Sequence, residues 1–133
     1  MIKLFENYEI KIIEFINFKP KEIVESPGVY FIIYPNLNPQ RFGGEDKDGI
    51  LYIGKSNNLK RRISKLRRGI LNRNNEYHSV SENYRKLFDE DIYNELGVGY
   101  IVSDEKNYSK LELEFLELYF KKYKDLPILN FKK

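Results

Sequence analysis

The chain has no cysteine and a single histidine among its 133 residues. Without thiols there are no disulfides and no thiolate metal site, and one histidine cannot build a histidine cluster within a chain. Any metal would therefore be held by oxygen ligands, which points to Mg²⁺ or Mn²⁺. No apolar run approaches the ~20 residues of a membrane span. The first twenty residues mix Lys and Glu with apolar side chains and do not read as a signal peptide, so the expected location is the cytoplasm, with no membrane partner. One further lack is local. Between Asp48 and Glu76 there is no acidic residue at all.

Within that acid-free interval stand Lys55, Lys60, Arg61, Arg62, Lys65, Arg67, Arg68 and Arg73. Net charge is only +3, so the grouping carries the information: a localised anion-binding face rather than a generally adhesive surface. An apolar run, Ile50 to Ile53, ends at Gly54, and a turn with Ser56, Asn57 and Asn58 follows. From Leu59 the apolar residues Leu59, Ile63, Leu66 and Ile70 recur at helical spacing, which predicts a strand, a turn and a basic helix in succession. Upstream, Gly28 to Tyr34 reads as a second strand, rich in β-branched and aromatic residues. The two strands should pair antiparallel across a long polar loop, Pro35 to Gly49. In that loop Arg41 could touch nucleic acid or sit on a loose tip.

The length suits one domain with its own core, and aromatics at 15% of the chain enlarge what that core can bury. Leu4, Phe5, Tyr8, Ile12, Phe15 and Ile16 recur with a helix-like period, so a helix is expected from Leu4 to Phe18, ended by Pro20. Residues 69–81 read as a loop and Glu82 to Leu96 as a helix stopped by Gly97. Val98 to Val102 reads as a third strand and Tyr108 to Lys124 as the last helix. The expected class is α+β: a small three-stranded mixed or antiparallel sheet flanked by helices, with an extra N-terminal helix. In domain terms, residues 1–26 are an addition to a core at 27–131.

The last helix offers Glu112, Glu114 and Glu117. Tyr108, Phe115, Leu116, Tyr119, Phe120 and Tyr123 lie three, four, seven, eight or eleven residues from Glu112, which sets Glu112 in the apolar face and the other two on the wet side. An ionised carboxylate facing a core is costly unless a metal or cation compensates it, so it is a functional candidate.

The runs Gly28-Val29-Tyr30 and Tyr52-Ile53-Gly54 resemble the paired signature of the GIY-YIG nuclease family, with valine for isoleucine in the first half and a full match in the second. Arg62, eight residues past Gly54, stands where that family carries an arginine. Phe115 and Leu116 follow Glu112 as apolar residues follow the family's glutamate, and Pro127 to Asn130 matches its terminal P-x-x-N. The resemblance implies a metal-dependent endonuclease acting on DNA, with RNA left open. Glu112 would hold one Mg²⁺ or Mn²⁺ ion, Arg62 would grip the phosphate, and Tyr30 or Tyr52 would accept a proton from water, with Lys55, Arg62 and the metal all lowering its pKa. Lys55, Lys60, Arg61, Lys65 and Arg68 would bind nucleic acid, while Gly54 would turn the backbone and Asn130 orient a water or cap the chain. The Glu112-to-Asn130 distance is longer than that family usually shows; if spacing decides over phase, Glu114 or Glu117 is the ligand. His78 reads as a solvent histidine.

Two other readings stand beside this one: a non-catalytic nucleic-acid-binding module that keeps the fold, and a scaffold whose basic helix meets an acidic protein. A homodimer would place two sites on a duplex, although no segment announces an interface.

Overall fold

The computed structural model describes residues 2–71 and 95–130 of the chain. The class is α+β. In chain order the elements are β1 (Lys11–Glu14), β2 (Gly28–Ile33), β3 (Gln40–Arg41), β4 (Gly44–Glu45), β5 (Ile50–Ser56), α1 (Leu59–Leu71), β6 (Gly97–Val102) and α2 (Tyr108–Tyr123). The main sheet has the order β1-β6-β2-β5 and is antiparallel throughout, with β3 and β4 forming a separate small hairpin.

Side-chain alternation along the strands divides the core between the two faces. Tyr30, Ile32, Val98 and Tyr100 pack with Leu59, Ile63 and Leu66 of α1 on one side. Val29, Phe31, Ile33, Ile50 and Ile53 pack with Phe115, Tyr119 and Tyr123 of α2 on the other. β2 lies in the middle with every residue buried, which is why its run is continuously apolar. Gly28 opens that strand at a crowded point. A Cβ there would run into the Ile101 carbonyl and Leu59 Cδ1.

The N-terminal reading needs correction. No α-helix forms between Leu4 and Phe18; a 3-10 turn at Lys3–Phe5 is followed by β1, which pairs with β6 through Lys11↔Tyr100 to Glu14↔Gly97. The helical period is accidental. Phe5, Phe15 and Phe18 are buried while Ile12 is exposed, and the β-branched residues Ile10, Ile12 and Ile13 suit an edge strand on which Lys11 and Glu14, on opposite faces, are both exposed. The sheet accordingly has four strands rather than three. Predicted elements at residues 72–94, with His78, lie outside the described residues.

The long loop between β2 and β5 is tied down. Asp46, fully buried, accepts hydrogen bonds from the backbone N–H groups of Asp48, Gly49 and Ile50 and from the Tyr119 hydroxyl at 2.8 Å. Arg41 pairs with Asp125 at 2.8 Å and donates to the Leu126 carbonyl, while Gly43 N–H donates to the Tyr123 carbonyl. Arg41 thus holds the hairpin onto the end of α2, and its charge is spent there rather than on nucleic acid.

Candidate active site

Pairing register sets the tyrosines. In the β2–β5 ladder Tyr30 stands opposite Gly54 and Ile32 opposite Tyr52, so both tyrosines share the α1 face as diagonal neighbours. Their ring centroids are 5.8 Å apart at 42°. Gly54 makes this approach feasible: a Cβ there would collide with Tyr52 Cε2 and lie 2.8 Å from Tyr30 Cζ and 2.9 Å from its hydroxyl. The glycine lies within β5 rather than at a turn, so its role is to leave room for two phenols and not, as the sequence suggested, to bend the chain.

Arg62 comes to the same spot on α1. Ser56 and Asn58 fix the start of that helix, Asn58 Oδ1 capping Arg61 N–H at 3.1 Å and its carbonyl accepting from Arg62 N–H. Ile63 and Leu66 then bury one face, which turns the neighbouring Arg62 toward the sheet edge. Its guanidinium lies beside the Tyr30 hydroxyl, and the Tyr30 ring in turn packs against that of Tyr52.

Burial decides the proton affinity of both phenols. It pushes Tyr30 well above the ordinary 10.0, aided by the neighbouring Tyr52 and only partly offset by the Arg62 cation. Tyr52 is raised by burial first and by the Glu112 charge second, against Tyr30 and Arg62 acting the other way. Arg62 pushes both phenols down, as expected, and in the protein alone burial outweighs that push. Desolvation wins.

Glu112 lies on the helix packed against the opposite face of the sheet, near enough for its charge to be felt at Tyr52. β5 is the outer strand of the sheet, and α2 packs against it. Glu112 shares the stripe of Phe115, Tyr119 and Tyr123, is half-buried, and has its carboxyl raised by burial, with the Lys55 cation opposing the rise. Glu114 instead accepts from the Tyr8 hydroxyl at 3.3 Å, and Glu117 is exposed. Lys55 Nζ donates to Ser109 Oγ at 3.0 Å, one turn before Glu112. Ser109 has no distinguishing mark in the sequence.

Asn130 closes the strand. Its Oδ1 accepts from Ile53 N–H at 2.9 Å and its Nδ2 donates to the Ile53 carbonyl at 2.8 Å, while Leu129 N–H bonds the Leu51 carbonyl. The side chain occupies both edge groups of the residue between Tyr52 and Gly54, a positioning contact with strand backbone.

Among the expected nucleic-acid contacts, Arg61, Lys65 and Arg68 are exposed on α1, Lys60 is half-exposed, and Lys55 is exposed beside the site. Arg67 of the same cationic block faces inward, donating to the Phe18 carbonyl at 2.6 Å with its guanidinium 3.9 Å above the Phe18 ring. Among the described residues no three His, Cys, Asp or Glu side chains gather in a metal-binding group. A divalent ion here would rest on the Glu112 carboxylate, with water and substrate oxygens completing its shell. That donor set fits a hard cation such as Mg²⁺, which keeps most of its waters, and does not fit a dedicated protein cage.

No protein-family model matches the chain, and no curated protein matches it. Among solved structures it is similar to the GIY-YIG N-terminal endonuclease domain of UvrC from Thermotoga maritima bound to magnesium. Identity is 21%, with 87% of this chain and 100% of that one covered, at a TM-score of 0.47. Two point-mutant forms of that domain, each bound to its catalytic divalent cation, match at 21% identity with TM-scores of 0.47 and 0.45.

Proposed function

We propose that the chain is a divalent-metal-dependent endonuclease that hydrolyses phosphodiester bonds in DNA, RNA being left open. The observation that carries this reading is the gathering of Tyr30, Tyr52 and Arg62, far apart in sequence, on one face of the sheet, with the Glu112 charge felt at Tyr52. Arg62 supplies a fixed planar cation for the non-bridging oxygens and orients Tyr30. Tyr52, less buried than Tyr30 and within range of the Glu112 charge, would be the phenol to exchange a proton with the attacking water. Asn130 holds the strand that carries it. A divalent ion on Glu112 would supply charge stabilisation for the phosphoryl oxygens and a pull on the proton of the neighbouring phenol. Exposed Lys60, Arg61, Lys65 and Arg68 would follow the nucleic-acid backbone.

One observation favours the second reading, a binding module without turnover. Burial raises both phenols above the ordinary tyrosine value, which makes either less available as a phenolate in the protein alone. Incubation of supercoiled plasmid with the protein and Mg²⁺ or Mn²⁺ separates the two. Nicking or cutting is expected, and loss of it by a factor of about 10² or more in Glu112→Gln and in Arg62→Ala. Salt-sensitive binding with no cleavage in either metal would leave the module; metal-dependent cleavage that survives both substitutions would sink the site.

A further inference from the structure

The outer side of α2 does not look like a finished surface. Leu113, Leu116 and Phe120 follow one another at helical spacing, and Leu126 continues the line past the helix end. Together with the charged groups beside them they border a groove of about 650 Å³ that includes none of the four site residues. Leu113 is 56% exposed and Phe120 52%, far more than a helix needs to leave uncovered.

The charges beside this stripe are sorted along the helix. Glu114 and Glu117 come first along it, and Lys121 and the cap residue Lys124 follow at its end. Glu117 and Lys121 are one turn apart, yet neither forms an ion pair among the described residues. A two-fold axis perpendicular to α2 and passing near residue 119 solves both problems at once. Antiparallel packing in that register sets Glu117 against Lys121 of the second copy and Glu114 against its Lys124. It brings Phe120 against Phe120 beside the axis and Leu113 over Leu126. A parallel arrangement would oppose like charges instead.

We propose that this face is where two copies of the chain join, as an isologous antiparallel α2 pair with an apolar centre and a Glu117–Lys121 rim. The proposal goes beyond the nuclease reading and does not depend on it, because association is measured without any nucleic acid.

Sedimentation equilibrium of the full chain tests it. A reversible dimer is expected at micromolar concentration, dissociating as salt is raised. Glu117→Lys and Lys121→Glu should each weaken it about tenfold, since symmetry repeats each like-charge clash. The double variant E117K/K121E should regain wild-type association, and Phe120→Ser should leave a monomer. All three positions are solvent-exposed, so an unchanged melting temperature reports an intact fold. A wild-type chain that stays monomeric, including one that captures a different protein on this face, overturns the proposal. So does a double variant no better than the singles.

Discussion

Tyr30 and Tyr52 differ in what surrounds them, and the difference is testable. Tyr30 is fully enclosed and lies beside Arg62, whereas Tyr52 is half-buried and feels Glu112. If Tyr52 exchanges the proton, the cleavage rate should climb with pH through the neutral and alkaline range, because a phenol raised above 10.0 is scarcely ionised at pH 7. Tyr52→Phe should flatten that climb and lower the rate about 10²-fold, while Tyr30→Phe should keep the slope and lose only the hydroxyl beside Arg62. A pH–rate profile for each variant decides the assignment. The phenols, Arg62 and Glu112 are visible in the sequence because each carries chemistry that a motif or a helical phase can mark. Ser109, Asp46 and the Asn130–Ile53 bonds are not, since a serine or asparagine that bonds one particular backbone group has no local signature.

At the scale of elements, the loop between β2 and β5 and the helix α2 are one unit, joined through Asp46. Replacing Asp46 with Ala takes the side-chain acceptor from two buried backbone N–H groups, one part-buried one and the Tyr119 hydroxyl, and should cost roughly 3–5 kcal/mol in chemical unfolding. Tyr119→Phe removes a single bond to the carboxylate and should cost about 1.5–3 kcal/mol. Alkaline stability follows from the same residues. Burial raises Tyr119, with Asp46 adding to the rise, and raises Tyr123 to about 12, with the Asp46 and Asp48 charges contributing. In the unfolded chain these phenols lose protons near the ordinary 10.0, while the folded chain retains them. The unfolded state then binds fewer protons, so stability is intact below pH 10 and falls as pH rises toward 12 and beyond. Circular dichroism against pH should show unfolding in that window, shifted to higher pH when Tyr123 is replaced by Phe. The strands β2, β5 and β6 and the helices α1 and α2 are legible in the sequence because period and punctuation agree in each. β1 is not. Its pairing partner lies more than eighty residues away, and nothing in Lys11 to Glu14 names the β6 edge that Gly97 and Gly99 leave open to it.

For the molecule as a whole, charge is divided by orientation more than by amount. Arg67 is built into the fold by Phe18, whereas Lys60, Arg61 and Lys65 point outward from the same helix. Arg61→Ala and Lys65→Ala should therefore weaken binding to duplex DNA and reduce the slope of log affinity against log salt by about 0.9 for each phosphate left without its cation. Arg67→Ala should leave that slope unchanged and lower thermal stability instead. Fluorescence anisotropy at several salt concentrations, beside a melting curve, distinguishes them. The sequence shows a cationic block but not which of its members face inward, because that depends on Phe18, which sits on a segment whose apolar period imitates a helix.

The fastening of Leu129 and Asn130 along β5 has one more outcome. Those two residues occupy the Leu51 carbonyl and both main-chain groups of Ile53. A chain shortened to Leu126 would leave that margin bare and flat beside Ile50 and Ile53, a ready template for another strand. Such a truncated protein should lose more to fibrous self-recruitment than to simple unfolding, and a terminal fusion that pries residues 127–130 loose should do the same.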